Sequence, residues 1–252
     1  MMKTIAVAIL ILSASGTFAQ GWAEKTRFET GSWTTVNVKY PLAKKVNLFA
    51  EGQLRSQGTY NDFNYWEFKV FAHYLINDHF FVGGGIGNYH QYKDYENFGH
   101  HQKQTEARIW FEMVTKNTIG RFNFEHRYRA EDRMINKWNQ NSEQYERNYG
   151  NRNDEDRYRF RYRMQLNVPI NHAKMENKTF YFNISDEIHL THKKPYFNQN
   201  RFFTGFGYKI NNMQVQAGLM HQFLNGNTFQ RTKNYVQLTF SLTIPHSFQN
   251  QP

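Results

Sequence analysis

Twelve residues in the second half of the chain, Arg157-Tyr158-Arg159-Phe160-Arg161-Tyr162-Arg163-Met164-Gln165-Leu166-Asn167-Val168, put a guanidinium at every second position of the first half of the run. Arginine presents a planar fork of donors that binds carboxylates bidentately, so a row of arginines either ties down carboxylates on neighbouring segments or gathers anions from solution. The carboxylates needed for the first option are in the sequence. Glu106, Glu125 and Glu187 occupy positions of the same alternating kind, as do Glu51, Glu67, Glu112 and Glu131. Arg108, Arg127, Arg129 and Arg201 add further cations to the set. The expected charge network comprises Glu106, Arg108, Glu125, Arg127, Arg129, Arg157, Arg159, Arg161, Arg163, Glu187 and Arg201, and it reads first as a structural salt-bridge lattice. The functional alternative is an anion-attracting channel, because charged rings select ions in pores.

Other chemistry is thinner. His100-His101, His189 and His192 lack the three or four converging ligands that a metal needs, so no metal and no cofactor is expected. His126 and Asp186 break the apolar alternation of their segments. A hydrolytic pair would need a serine nucleophile within reach of His126. No serine shares its face, so no catalytic residue is assigned and the chain is expected not to be an enzyme. The run Gly83-Gly84-Gly85-Ile86-Gly87 lies inside an alternating segment, where glycine eases curvature or close packing rather than cradling a phosphate.

The elements that would position these residues are strands. Successive side chains of a strand point to opposite faces, so the segment 157–168 has an arginine face and an aromatic and aliphatic face. A helix would scatter both sets. The same alternation recurs at Val36–Tyr40, Val46–Arg55, Trp66–Tyr74, Phe80–Tyr92, Thr105–Met113, Phe122–Glu131, Phe180–Leu190, Arg201–Lys209, Gln214–Gln222 and Val236–Ile244. Short turns (Pro41–Lys44, Asn77-Asp78, Lys116-Asn117, Asn211-Asn212) alternate with longer polar connections, the longest expected over Arg133–Asp156. A further strand is expected near Trp22–Thr30. The pattern predicts an all-β, antiparallel up-and-down transmembrane β-barrel of about twelve strands, ten being the alternative, with polar side chains in the lumen and apolar ones toward lipid. An even count would leave both termini at the short-turn end.

Composition is consistent with this. Met1-Met2-Lys3, the apolar run Ile5–Leu12 and the small residues up to Ala19 read as a signal peptide, residues 1–19, leaving 20–252 as one barrel domain. No later segment has the roughly 18 apolar residues of a spanning helix. Mean hydropathy is −0.81, which a barrel tolerates because only alternate strand residues meet lipid. The chain has no cysteine, so no disulfide framework supports it. Its net charge of +10 is spread over strand positions beside glutamates rather than gathered in a basic helix, and no nucleic-acid partner is expected.

Several motifs, in their order and spacing, carry a resemblance. They are Gln53-Leu54-Arg55, Glu106-Ala107-Arg108-Ile109-Trp110, Phe124-Glu125-His126-Arg127-Tyr128-Arg129, Arg161-Tyr162-Arg163 leading to Val168-Pro169-Ile170, Asp186-Glu187, and Phe197-Asn198-Gln199-Asn200-Arg201 opening Gly205-Phe206-Gly207-Tyr208. Over most of the mature length the sequence resembles the uncharacterised bacterial outer-membrane barrels grouped as domain of unknown function 2490. The resemblance implies an outer-membrane barrel with no established activity. Phe248 is followed by Gln249-Asn250-Gln251-Pro252, a departure from the terminal aromatic residue common in bacterial barrels. The expected role is structural or that of a narrow pore with an Arg/Glu-lined lumen. The alternatives are a lipid-modifying outer-membrane enzyme and a soluble periplasmic lipocalin-like binder. Expected partners are outer-membrane lipid, the outer-membrane assembly machinery and small anionic solutes, with the protein a monomer.

Overall fold

A computed structural model describes residues 26–58, 60, 62–93, 102–139, 144–147, 157–226 and 230–245, and every regular element among them is a strand. In chain order these are β1 (Thr26–Ala43), β2 (Val46–Gln57), β3 (Asp62–Asn77), β4 (Phe80–Lys93), β5 (Gln102–Ile119), β6 (Phe122–Asn139), β7 (Gln144–Arg147), β8 (Tyr158–Pro169), β9 (Thr179–Thr191), β10 (Phe197–Ile210), β11 (Met213–Asn225) and β12 (Gln230–Thr243). Each strand pairs antiparallel with the next, except that β8 follows β6 in the wall and β7 pairs only with the far end of β6. β1 then pairs with β12 and closes the sheet into a barrel. The strand total meets the expected twelve; eleven of them form the wall. The expected signal peptide (1–19), His100-His101 and Phe248 lie outside the described residues.

Four details differ from the sequence-based expectation, the first being that the turn expected at Lys116-Asn117 falls at Gly120-Arg121, because both residues continue β5 and Gly120 takes the positive φ the turn needs. The described part of the strand expected near Trp22–Thr30, from Thr26, runs on through Gly31-Ser32, a close-packing site, into Val36–Tyr40 as one strand, β1, while residues 22–25 lie outside the described residues. A Cβ on Gly31 would collide with the Ser56 backbone and the Tyr235 ring, and the Ser32 and Ser56 hydroxyls meet across the β1–β2 pair. The expected loop from Arg133 starts later, since Arg133 and Ile135 continue the inward alternation of β6. The closing pair is parallel, with Thr26 to Lys39 in register with Gln230 to Thr243. A meander reverses direction at every turn, so an odd number of wall strands leaves the first and last running the same way. β1 therefore starts at the long-connection end, and β12 ends at the tight-turn end. Parallel pairing is slightly weaker per residue than antiparallel, and the seam offsets this with fourteen residue pairs.

The two faces of the wall differ in kind. The register row Phe111–Ala130–Phe160–Leu190 is outward and apolar. Large apolar side chains are exposed around the circumference, including Phe68, Ile86, Ile109, Phe180, Phe206 (62%) and Leu219 (63%). The inward residues Trp33, Tyr89, Trp110, Tyr181 and Phe203 are buried alongside charged groups. This inverts a soluble barrel, whose apolar face is inside, and is the arrangement opposite to the lipocalin-like alternative. The glycines of β4 serve the interior. Gly83 and Gly85 sit on its inward face, where a Cβ would strike the His73 ring at one and Trp110 and Phe71 at the other. With no side chains there, residues of β3 and β5 meet over the top of β4.

The seam makes a direct prediction. Val36→Cys with Phe240→Cys, outward partners across β1 and β12, should form a disulfide under mild oxidation and shift the mobility of the folded protein. Val36→Cys with Val236→Cys, roughly 13 Å out of register at about 3.3 Å per residue, should not. Cross-linking of the second pair and not the first would refute the parallel register.

Candidate functional site

The interior charges are set by strand register, and register places arginine opposite arginine. Arg108 faces Arg133, Arg127 faces Arg163, and Arg129 faces Arg161 across adjacent strands. Like charges directly opposed destabilise a sheet. Here each guanidinium instead finds a glutamate: Arg129 bonds its direct partner Glu112 on β5, Arg108 bonds Glu106 on its own strand, and the others reach diagonally or past a strand. Glu131 accepts from Arg159 Nε (2.8 Å) and Nη2 (2.5 Å) and from Arg161 Nη1 (2.7 Å). Arg161 Nη2 also donates to Glu187 (2.7 Å), so one guanidinium links the β6 and β9 carboxylates. Arg127 reaches past β8 to the same Glu187 (2.5 Å), and His189 Nε2 lies 3.1 Å from it. Arg129 Nε and Nη2 hold Glu112 at 2.8 and 2.7 Å, while His73 Nε2 reaches Glu112 at 2.7 Å across the bare face of β4. Glu106 takes a bidentate pair from Arg133 (2.7 and 2.8 Å) and a further bond from Arg108. From His73 through Glu112, Arg129, Glu131 and Arg161 to Glu187, with Arg129 3.7 Å from Glu131, these contacts make one connected brace from β3 to β9, and Glu106, Arg108 and Arg133 form a second cluster beside it. Glu112 and Glu131 are 1% and 3% exposed, so the brace fills the lumen where it lies.

Of the residues expected in this network, Glu106, Arg108, Arg127, Arg129, Arg159, Arg161 and Glu187 are brought together in this way. Glu125 and Arg163 pair with each other at 2.5 Å, nearer the tight-turn end, with Lys116 3.4 Å from Glu125. Arg201 stands 3.8 Å from Glu187 at the edge of the brace. Arg157 does not join. It precedes β8, and its Nε and Nη2 bond Asp132 (2.9 and 3.1 Å), a residue on the outward parity of β6. The row of arginines therefore enters the lumen from Arg159 onward. Sequence reasoning missed Arg133, His73, Lys69 and Arg55 as members. Lys69 joins Glu51 and Glu67, and Arg55 lies 3.6 Å from Glu67. Unbroken alternation through Arg133 and the parity of Lys69 with Glu67 were the available signals.

The rest of the lumen mixes a smaller charged group with aromatic bulk: Arg231 and Lys233 of β12 both pair with Glu29 of β1. Trp33, Phe203, Met220 and Tyr235 form a buried cluster on β1, β10, β11 and β12. Tyr181 lies over Gly207, where a Cβ would overlap its ring. Toward the tight turns, the register row Asn37–Ser241–Gln214–Lys209 is polar and only half-buried. The inward side chains are thus half-buried amides, hydroxyls and the Lys209 ammonium toward the turn end, and fully buried ion pairs at the brace.

On the outer face, His126 Nδ1 lies 2.9 Å from the Tyr162 hydroxyl, and Asn200 Nδ2 donates to Asp186 Oδ1 at 2.7 Å. Met164 separates His126 from Asp186 in register. Among the described residues, no group of three His, Asp or Glu side chains forms a candidate metal site. His189 is fully buried against Glu187, and His192 packs edge-on against Tyr158 at the rim.

These features define a class: a closed, mostly antiparallel β-barrel with an apolar exterior and an interior filled by ion pairs and aromatic rings. The chain belongs to the family described as a protein of unknown function, DUF2490, whose model matches residues 30–233. No curated protein and no solved structure matches it.

Removing one partner of a buried ion pair leaves an uncompensated charge, which typically costs about 3–5 kcal/mol. Glu131→Gln leaves Arg159 and Arg161 facing one another's neighbours without a shared carboxylate. It should lower unfolding stability by about that amount, read from the urea midpoint of the detergent-folded protein. Arg157→Ala, at the rim, should move the same midpoint much less.

Proposed function

We propose that this protein is a bacterial outer-membrane barrel whose lumen is closed by its own Arg/Glu brace, and that its role is structural rather than that of an open porin. The observation that carries this reading is the inversion of faces. Large apolar side chains are exposed outward, while Glu112, Glu131, Arg129 and Arg161 are buried inward. An exposed apolar belt of this extent on a water-soluble protein would drive association, and lipid is the partner that fits it. Barrels of about eight strands are filled by side chains, and those of sixteen or more hold an aqueous channel. Eleven wall strands fall between, and long Arg and Glu side chains supply the volume that closes the gap. The signal-peptide pattern of residues 1–19 supports export, and insertion would use the outer-membrane assembly machinery.

The polar pairs on the outer face carry no hydrolytic chemistry in this reading. His126 is engaged by a tyrosine hydroxyl, not a serine, and Asp186 is engaged by an asparagine across from it. Each pair satisfies its own polar atoms at the apolar surface, where an unpaired polar group is costly. The protein acts as a monomer, because a closed wall leaves no strand edge to pair with a second copy.

Two measurements on the reconstituted protein test the proposal. Spin labels at positions 160 and 206 should be relaxed by oxygen dissolved in the bilayer, and labels at 161 and 203 should not. Planar-bilayer recordings should show no steady porin-size conductance in the wild type, and Glu131→Ala with Arg161→Ala should introduce one. Equal oxygen accessibility at all four positions argues against the membrane reading. A stable wild-type conductance of porin size argues for an open pore.

A further inference from the structure

Carboxylates in the lumen are shared by more cations than they can balance. Glu187 meets Arg127, Arg161, His189 and Arg201, and Glu131 meets Arg129, Arg159 and Arg161; Glu67 meets Lys69, which it shares with Glu51, and stands further from Arg55. The shortfall is concentrated at Arg55 on β2 and Arg201 on β10. Their shortest carboxylate distances are 3.6 and 3.8 Å, against 2.5 to 2.7 Å for Arg127, Arg129, Arg159, Arg161 and Arg163. Their close acceptors are neutral. Arg55 Nη2 donates to Gln53 Oε1 at 3.0 Å. With the Gln199 amide oriented so that its oxygen faces the guanidinium, as the donors around it require, that oxygen accepts from Arg201 Nε and Nη2 (3.1 Å to Nη2) and from Gln222 Nε2 at 2.9 Å. Both guanidiniums lie against one indole, with Arg55 Cζ 3.5 Å and Arg201 Cζ 5.0 Å from the Trp33 centroid, and Arg55 also covers Tyr65 at 4.0 Å. Arg55 is 7% exposed, and its Nε has no acceptor among the described residues. Lys233 is next but one to Arg201 in the register row that runs through Gln222.

Two guanidiniums on one ring, in an interior with little water, repel each other. The ring face and the amides stabilise them, but neither supplies negative charge. We propose that Arg55 and Arg201, held against Trp33, form a binding site for a small doubly charged oxyanion of the phosphate or sulfate kind. A monoanionic carboxylate would balance one of the two guanidiniums. A phosphate carries about −1.5 to −2 at neutral pH and offers three acceptor oxygens to the forks and the buried Nε. The proposal rests on the reading of the lumen as closed by its own side chains, since an open aqueous channel would screen both charges.

The test uses the purified full-length protein in detergent, freed of phosphate and titrated calorimetrically with sodium phosphate at constant ionic strength. Saturable binding is expected, with sulfate comparable and acetate at least about tenfold weaker. A phosphate monoester, glycerol phosphate, is run in parallel. Equal affinity would place the phosphate group alone in the site, and tighter binding would show that it serves a larger phosphorylated solute. Arg55→Gln and Arg201→Gln should each weaken phosphate binding by about tenfold or more, the loss expected for a charge-assisted hydrogen bond, and Lys116→Gln at the rim should leave it within about twofold. Retained heat-modifiable gel mobility confirms that each variant is a folded barrel. A second readout separates a ligand site from a structural pair. Phosphate should raise the wild-type heat-modifiability midpoint and not that of Arg201→Gln. Without phosphate, Arg201→Gln should be at least as stable as the wild type, because it removes a surplus charge. The proposal is overturned if phosphate does not bind saturably, if the two arginine variants bind it as the wild type does, or if Lys116→Gln weakens it equally. It is also overturned if Arg201→Gln destabilises the phosphate-free protein. Conductance separates the two readings: a conducting wild type that still binds phosphate contradicts the closed lumen alone, and a non-conducting one that binds none contradicts this site alone.

Discussion

Charge enclosed in the lumen must be compensated, most of it by the barrel's own side chains, and the rest of the structure follows from that constraint. Glu131 shows how it is met. Its carboxylate is held by Arg159 and Arg161 from the next strand, and Arg161 passes the link on to Glu187. Along the register, arginine faces arginine three times across β5, β6 and β8, while Glu112–Arg129, Glu131–Arg159, Arg163–Glu187 and Arg201–Glu187 face directly. The like-charge contacts are offset only because each arginine also has a glutamate within reach, opposite, diagonal or on its own strand. A lattice of this kind fixes register strongly. A slip of one residue would turn every inward charge outward, and a slip of two would separate glutamates from their arginines. The ion pairs of such an interior are weak arguments for net stability but strong ones for uniqueness of pairing.

The brace also dictates where bulk is omitted. His73 reaches Glu112 only because Gly83 leaves the intervening strand bare, and Trp110 occupies the space over Gly85. Around the other side of the wall, Phe203 and Tyr181 lie over Gly205 and Gly207 in the same way. Glycine in a strand ordinarily weakens it. Here the lost side-chain packing is returned by aromatic rings and long ionic side chains from the neighbouring strands. In the proposed reading, these side chains close the lumen at the level of the brace. Exposed Phe206 and Leu219 mark the opposite face, which demands an apolar surrounding as firmly as the interior demands neutralisation.

Much of this was legible in the amino-acid order. Strand type, facing and the approximate count follow from period-two alternation, which survives even where mean hydropathy is strongly polar. The sets of inward arginines and glutamates follow from the same parity. Pairing was not legible, because partners are decided by register between strands, and nothing in the alternation of β6 or β8 says which residues oppose which. Arg157 shows the limit: its parity is inward, but it precedes the strand, where pairing with Asp132 outside is available. Gly31-Ser32 lies mid-strand, where Tyr235 and Ser56 need the room that a side chain on Gly31 would fill. The parallel seam was hidden for the same reason, since merging two short segments into β1 changes the parity of the wall.

The central claim is that the inward charges act as one lattice holding the barrel closed. A double-mutant cycle of Glu131→Gln and Arg161→Gln, measured by reversible urea unfolding in lipid vesicles, tests it most directly. The account predicts a coupling free energy of about 2–3 kcal/mol, at the upper end of the range for contacting residues in one network. A coupling near zero, with each single substitution nearly neutral, would mean that the lumen is wet enough to screen its charges, and would contradict the account.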